Sequence, residues 1–340
     1  MGRAERLGII GEIEKARGSR VICYLTGDRQ GMESRIGMDI FPYFYDVLVK
    51  LGKQRQIDLF IYSPGGATMA AWGLVNLLRE FCERFCVLVP SKAQSSATLI
   101  SLGADEIVMS RMGQLSPVDP STNSPFNPSL PGQAAGAQPQ FLPVSVEDVT
   151  SYIELAKEVG IKDEQYLSTV FGTLSSDVRP LALGNVYRAK QQIKMLSEKL
   201  LAFHMKEPER IQGIVSTLTR ELYSHDYLIG RTEAKQQIGL KIADVSDDEE
   251  ARLVSLLREF SELMLLQTPY NADAILGADS TKTATFDSAF IESTDMTFVF
   301  RTKKELKKIK ATHQGMPLEA VQERILHQGW VLEKAEKAKP

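Results

Sequence analysis

The chain has 340 residues, 43% of them hydrophobic and 24% charged, with a net charge of -3. That is a soluble globular composition, long enough for one large domain with an addition or for two domains. The small net charge gives no electrostatic footprint for nucleic acid or an anionic membrane surface, and no run of 18 apolar residues is present to span a bilayer.

Three cysteines, Cys23, Cys82 and Cys86, fall in apolar patterns without a CxxC pair. They are expected to be buried thiols in a reducing compartment. The opening residues, MGRAERLGIIGEIEKARGS, are charged throughout and lack the apolar core of a signal peptide. A cytoplasmic location is the expectation.

In chain order, residues 4–17 have the spacing of a short amphipathic helix, and RVICYLT (20–26) that of a buried strand ending at Gly27-Asp28. Residues 38–52 place Ile40, Phe44, Val47 and Leu51 on one helical face, with Pro42 near the first turn. A strand over 57–62 enters the turn Ser63-Pro64-Gly65-Gly66, and a helix over 67–84 follows. A second strand over 86–90 enters Ala93-Gln94-Ser95-Ser96-Ala97, then a helix over 95–103 and a strand over 105–109. Such β–α–β–α–β alternation implies a parallel sheet with helices on its faces.

Residues 112–144 are rich in Pro, Gly, Ser, Asn and Gln, and a long irregular loop is expected there. Helices are expected over 146–159, 163–173, 182–204, 207–222 and 231–238, with a short strand near 240–242. Another helix is expected over 248–266, followed by an antiparallel hairpin over 282–301 turning at Thr294-Asp295. The basic run Lys303 to Lys310 reads as a solvated face. The expected division is 1–247 as one α/β domain and 248–340 as a small C-terminal α+β appendage.

The two small-residue turns stand out chemically. Strand–turn–helix geometry can present a nucleophile and aim backbone N–H groups at a developing negative charge. Ser95 suits that role, although Ser is also a favoured helix N-cap, and Ser96 is not separable from it by pattern.

In this order, the blocks RVICYLTGD, IDLFIYSPGGAT, AQSSATLISLGADEIVM, LSPVDP, LGNVYRA and SHDYLIG resemble the Clp-protease/crotonase superfamily. The pattern is most similar to its serine dehydrogenase proteinase family, over roughly residues 18–245. The resemblance implies a Clp protease/crotonase-like fold with a mainly parallel sheet. It also implies serine peptidase activity through an acyl-enzyme, without ATP use by the chain itself. Carried over residue by residue, Ser95 is the nucleophile and the N–H groups of Gly66 and Ser96 form the oxyanion hole. The segment SRMGQLSP lacks the histidine that the Clp subunit has there. The family order Ser, Asp, His points instead to Asp119 as orienting acid and His225 as general base, with Asp226 the competing acid. Peptide or unfolded protein is the implied substrate and a homo-oligomer the implied assembly. No metal, nucleotide or other cofactor motif is present.

Three alternatives follow from the same residues. A serine–lysine dyad would need Lys92, the nearest lysine to Ser95. A crotonase-type acyl-CoA enzyme would use the paired N–H groups for an enolate, and would need basic residues such as Arg29 and Arg35 for the CoA phosphates. A non-catalytic member would use the fold only to bind a partner.

Overall fold

The computed structural model describes residues 2–118, 121–122, 125–129, 140–142, 144–222, 224, 226–313 and 316–333. The chain forms two units, Met1–Leu115 together with Gly230–Pro340, and Ser116–Ile229. The first begins with α1 (Arg3–Arg17), β1 (Arg20–Thr26), α2 (Phe41–Leu51), β2 (Gln54–Tyr62), α3 (Thr68–Glu80) and β3 (Cys82–Val89). It continues through β4 (Lys92–Ala93), α4 (Ser96–Leu102), β5 (Glu106–Met109) and β6 (Gln114–Leu115). The second holds β7 (Ser121–Thr122), β8 (Val144–Ser145), α5 (Val146–Glu158), α6 (Glu164–Asp177), α7 (Pro180–Leu201) and α8 (Pro208–Ser216). After β9 (Ile229–Gly230) the first unit resumes with α9 (Arg231–Gln236), α10 (Asp247–Leu263), α11 (Ala272–Leu276), β10 (Thr281–Glu292), β11 (Thr297–His313) and β12 (Met316–Leu332).

Local signals explain most boundaries. Pro42 sits in the first turn of α2, where its missing N–H has no helical acceptor to lose. Gly18 ends α1 at φ 60°, its N–H donating to the Glu14 carbonyl. Two strands start earlier than apolar content suggests. Gln54 and Gln56 pair with Cys82 and Arg84, so β2 and β3 each gain polar residues at the N-terminal end. Those residues lie at the sheet margin and carry no hydrophobic alternation, so α3 stops at Glu80 instead of running to 84.

The main sheet has seven strands in the order β12-β11-β10-β1-β2-β3-β5. β1, β2, β3 and β5 are parallel, with Leu25 opposite Tyr62, Phe60 opposite Leu88 and Val89 opposite Met109. This is the mainly parallel α/β sheet expected. The hairpin around Thr294-Asp295 also forms, closing at Glu292 opposite Thr297. It does more than expected: β10 pairs antiparallel with β1, Leu25 opposite Phe290, and β12 extends the sheet beyond β11. The C-terminal strands therefore continue the central sheet. Strand pairing joins residues some 260 positions apart, which periodicity in a short window cannot reveal.

Both faces of the parallel part of the sheet are covered. Val21, Cys23 and Leu25 join α1 residues Ile10 and Ile13 and α10 residues Leu253, Leu256 and Phe260 in one core. Alternate residues Ile22 and Tyr24 face the other way, with Tyr24 edge-on to Phe44 of α2 at 5.2 Å between ring centres. α3 buries Ala71, Leu74, Val75 and Leu78.

In the second unit, Val144 and Val186 form a small core with Val149, Val178 and Ala189. The described ends of the Pro-rich segment return on themselves. β7 pairs with β8, Ser129 bridges Phe141, and the buried Asn127 amide donates to the Leu142 carbonyl at 2.9 Å. The expected irregular loop thus has paired flanks. No helix among the described residues is long and apolar enough to cross a membrane.

Candidate active site

The carboxyl ends of β1, β2 and β3 lead into three turns that are hydrogen-bonded together. Ser63, at the end of β2, bridges Ala93 in parallel fashion: its N–H donates to the Lys92 carbonyl and its own carbonyl accepts from Gln94 N–H, both at 3.0 Å. That locks the SPGG turn to the serine turn. On the other side Ile36 bridges Gly66, Ile36 N–H donating to the Gly65 carbonyl at 2.9 Å and Ala67 N–H to the Ile36 carbonyl at 2.8 Å. Glycine is required here by contact. A Cβ on Gly66 would lie 2.2 Å from the Ile36 carbonyl oxygen, and one on Gly65, at φ 103°, would lie 2.7 Å from Ser95 Cβ.

Ser95 sits immediately before α4 with φ 52° and ψ -116°. A non-glycine residue in this region is strained by about 1–3 kcal/mol and stays there only where its surroundings hold it. The restraints are visible. Thr98 Oγ1 donates to the Ala93 carbonyl at 2.7 Å, Ala97 N–H to Gln94 at 2.9 Å and Leu99 N–H to Ser95 at 3.1 Å. The Ser95 side chain makes no capping bond to α4, which removes the simplest structural reason for a serine there. It is half-buried, whereas Ser96 is fully buried, its hydroxyl without a hydrogen-bond partner among the described residues.

Peptide planarity fixes the two amides assigned to the oxyanion hole. In a trans peptide the N–H points opposite to the carbonyl. The Gly65 carbonyl is held by Ile36, so the Gly66 N–H is directed away from Ile36. The Ser95 carbonyl is held by Leu99 within α4, so the Ser96 N–H is directed out of the helix start.

Lys92, the candidate base of a dyad, has its ammonium 2.5 Å from Asp28 Oδ2, and Tyr62 OH donates to Asp28 Oδ1 at 2.7 Å. Burial alone would raise the Asp28 pKa; the Lys92 and Tyr62 hydrogen bonds outweigh it and hold the carboxyl below its ordinary value. The same burial and contact with Asp28 push the Tyr62 hydroxyl well up. Arg29 is buried, donates to the Thr268 carbonyl at 2.8 Å and stacks near the Tyr270 and Phe286 rings. His225 and Asp119 lie outside the described residues. Asp226 is described and exposed.

Two contributors escaped the sequence reading. Ser63 stands inside the recognised motif without a role assigned from it. Ile36 acts through its backbone, and no side-chain pattern could have marked it.

Fold and turns define an α/β protein that presents a serine on a strained bend beside a glycine turn. Residues 2–132 match the family model described as ClpP-like SDH-type serine proteinase. An uncharacterized protein of Methanocaldococcus jannaschii is 35% identical over 34% of this chain and 42% of its own length. A second from the same organism is 27% identical over 75% of this chain and 79% of its own. The chain thus spans less than half of the first of these relatives. Among solved structures, a membrane-bound stomatin-specific protease is 12% identical over 69% of this chain and 84% of its own, at TM-score 0.35. ClpP1 from Listeria monocytogenes is 13% identical over 70% of this chain and 97% of its own, also at 0.35.

Proposed function

We propose that the protein is a serine endopeptidase working through an acyl-enzyme, with Ser95 as nucleophile. The Ser95 hydroxyl attacks the scissile carbonyl and its proton passes to His225. The resulting oxyanion accepts hydrogen bonds from Gly66 and Ser96 N–H. His225 then returns the proton to the leaving amine, and water hydrolyses the ester by the reverse sequence, with Asp119 holding the His225 tautomer. The observation that carries this reading is the Ser95 backbone at φ 52°, a strained bend whose side chain does no capping work. Its position against Gly65, whose added Cβ would stand 3.1 Å from Ser95 Oγ, brings the hydroxyl beside the glycine turn.

The rival readings lose support at specific atoms. A serine–lysine dyad needs a neutral amine at Lys92, and that ammonium is engaged by Asp28. An acyl-CoA site would draw on Arg29 and Arg35 for its phosphates, and Arg29 is buried among Thr268, Tyr270 and Phe286, which leaves only the exposed Arg35. The substrate is a peptide or unfolded protein, the assembly a homo-oligomer and the compartment the cytoplasm in this proposal, and the chain cleaves without ATP.

Fluorophosphonate labelling tests it. The full chain is expected to incorporate one probe at Ser95, and Ser95→Ala to incorporate none. Undiminished labelling of that variant would reject Ser95. An unlabelled native chain, in a reaction where a control serine hydrolase is labelled, would favour a crotonase-type or non-catalytic role.

A further inference from the structure

We infer that Ser63 is a positioning residue of this site, its buried hydroxyl setting the aim of the Gly66 N–H; the inference rests on the hydrolase reading above. Ser63 is completely buried. Its backbone already ties two turns together through Lys92 and Gln94. Its side chain does a separate job: Oγ accepts the Gly65 N–H at 3.0 Å and shares a hydrogen bond with Thr26 Oγ1 at 2.6 Å. One hydroxyl therefore links the end of β1 to the glycine pair.

The consequence follows from the peptide planes. Gly65 belongs to two rigid units, 64–65 and 65–66, joined at its own φ and ψ. The first unit is anchored by its N–H on Ser63 Oγ, and the second by its carbonyl on Ile36 N–H. The second unit carries the Gly66 N–H that points away from Ile36. Glycine has no Cβ to restrict rotation, and none can be added, because it would strike Ser95. Hydrogen bonds must supply the restraint that a side chain would otherwise give. Removing the Ser63 hydroxyl leaves the Gly65 N–H buried without an acceptor, a state a freely rotating glycine escapes by turning the peptide. That turn rotates the Gly66 amide away from the oxygen it is meant to meet.

Steady-state hydrolysis of a chromogenic ester or labelled peptide by the full chain tests this, with unfolding curves taken on the same samples. Wild type and Ser95→Ala first establish the hydrolase reading. Ser63→Ala is then expected to lower kcat and kcat/KM together, by about 10²-fold, with KM nearly unchanged, as for loss of a transition-state contact. Thr26→Val, which keeps its shape and leaves Gly65 its acceptor, is expected to lose less in the same direction. The double variant is expected to be no worse than Ser63→Ala alone. If Ser63→Ala does not fold, Thr26→Val tests the role by itself, through its smaller loss of kcat at nearly unchanged KM. Full kcat in either folded variant, or a loss no larger than the loss of folded protein, overturns the role of Ser63 while Ser95 stands. An inactive wild type, or activity surviving in Ser95→Ala, brings down the hydrolase reading instead, and this inference with it.

Discussion

Ser95 and Ser96 share a chemistry and differ in surroundings. One is half-buried on a bend at φ 52°; the other is buried, with a hydroxyl that has no hydrogen-bond partner among the described residues. Buried hydroxyls without partners are uncommon, and nothing among the described residues accounts for the one at Ser96. The strain at Ser95 has a measurable signature. Glycine adopts that conformation without penalty, and alanine does not. Ser95→Gly is therefore expected to be more stable than Ser95→Ala, by about 1 kcal/mol after the greater chain entropy of unfolded glycine is deducted. Urea unfolding of the two variants checks it, and equal midpoints would mean the bend relaxes. The cysteines behave differently from the serines. Burial pushes Cys82 and Cys86 each up to about 11, so both stay as thiols near neutral pH, and no disulfide joins them.

Among elements, α1 and β10 are joined by charge as well as packing. Arg6 of α1 is almost fully buried and forks onto the fully buried Glu292 of β10, at 2.8 Å from Nε and 3.1 Å from Nη2. The guanidinium also lies 5.2 Å from the Phe260 ring centre and 5.7 Å from that of Phe290. Thr297 Oγ1 donates to the same carboxylate at 2.9 Å. A buried carboxylate is costly once its cation is removed, whatever the pair contributes intact. Arg6→Met is expected to lose about 3 kcal/mol, the lower end of the usual range because Thr297 and the partly buried Arg3 remain nearby. Denaturant unfolding measures this. Replacing Glu292 by Met as well should recover much of the loss, and failure of the double variant to recover would point to packing around Arg6 rather than to the charge.

On the scale of the whole chain, the central sheet is closed by its last strands. β10 covers the edge of β1, and Phe290 and Val299 complete the core that Phe60, Leu88 and α10 begin. A chain ended after residue 280 would expose the backbone edge of β1 and empty those core positions. It is expected to be recovered in the insoluble fraction or as aggregate on gel filtration. A monodisperse, cooperatively unfolding product would mean that the parallel strands suffice alone, in keeping with a separable C-terminal appendage.

The sequence by itself determined the local elements of the parallel core, because each depends on short-range signals. Buried β-rich runs, the Pro42 helix start and the Gly18 helix end are written within a few residues of where they act. It also marked Ser95 and the glycine pair, since turn chemistry and motif order lie along the chain. Tertiary structure alone decided what was added to that core: β10 pairing with β1, polar residues drawn into β2 and β3, and Ile36 and Ser63 holding the glycine amides. Those are matters of hydrogen bonding between distant backbones. A backbone N–H or carbonyl is the same at every position, so no composition or periodicity records which partner it will find.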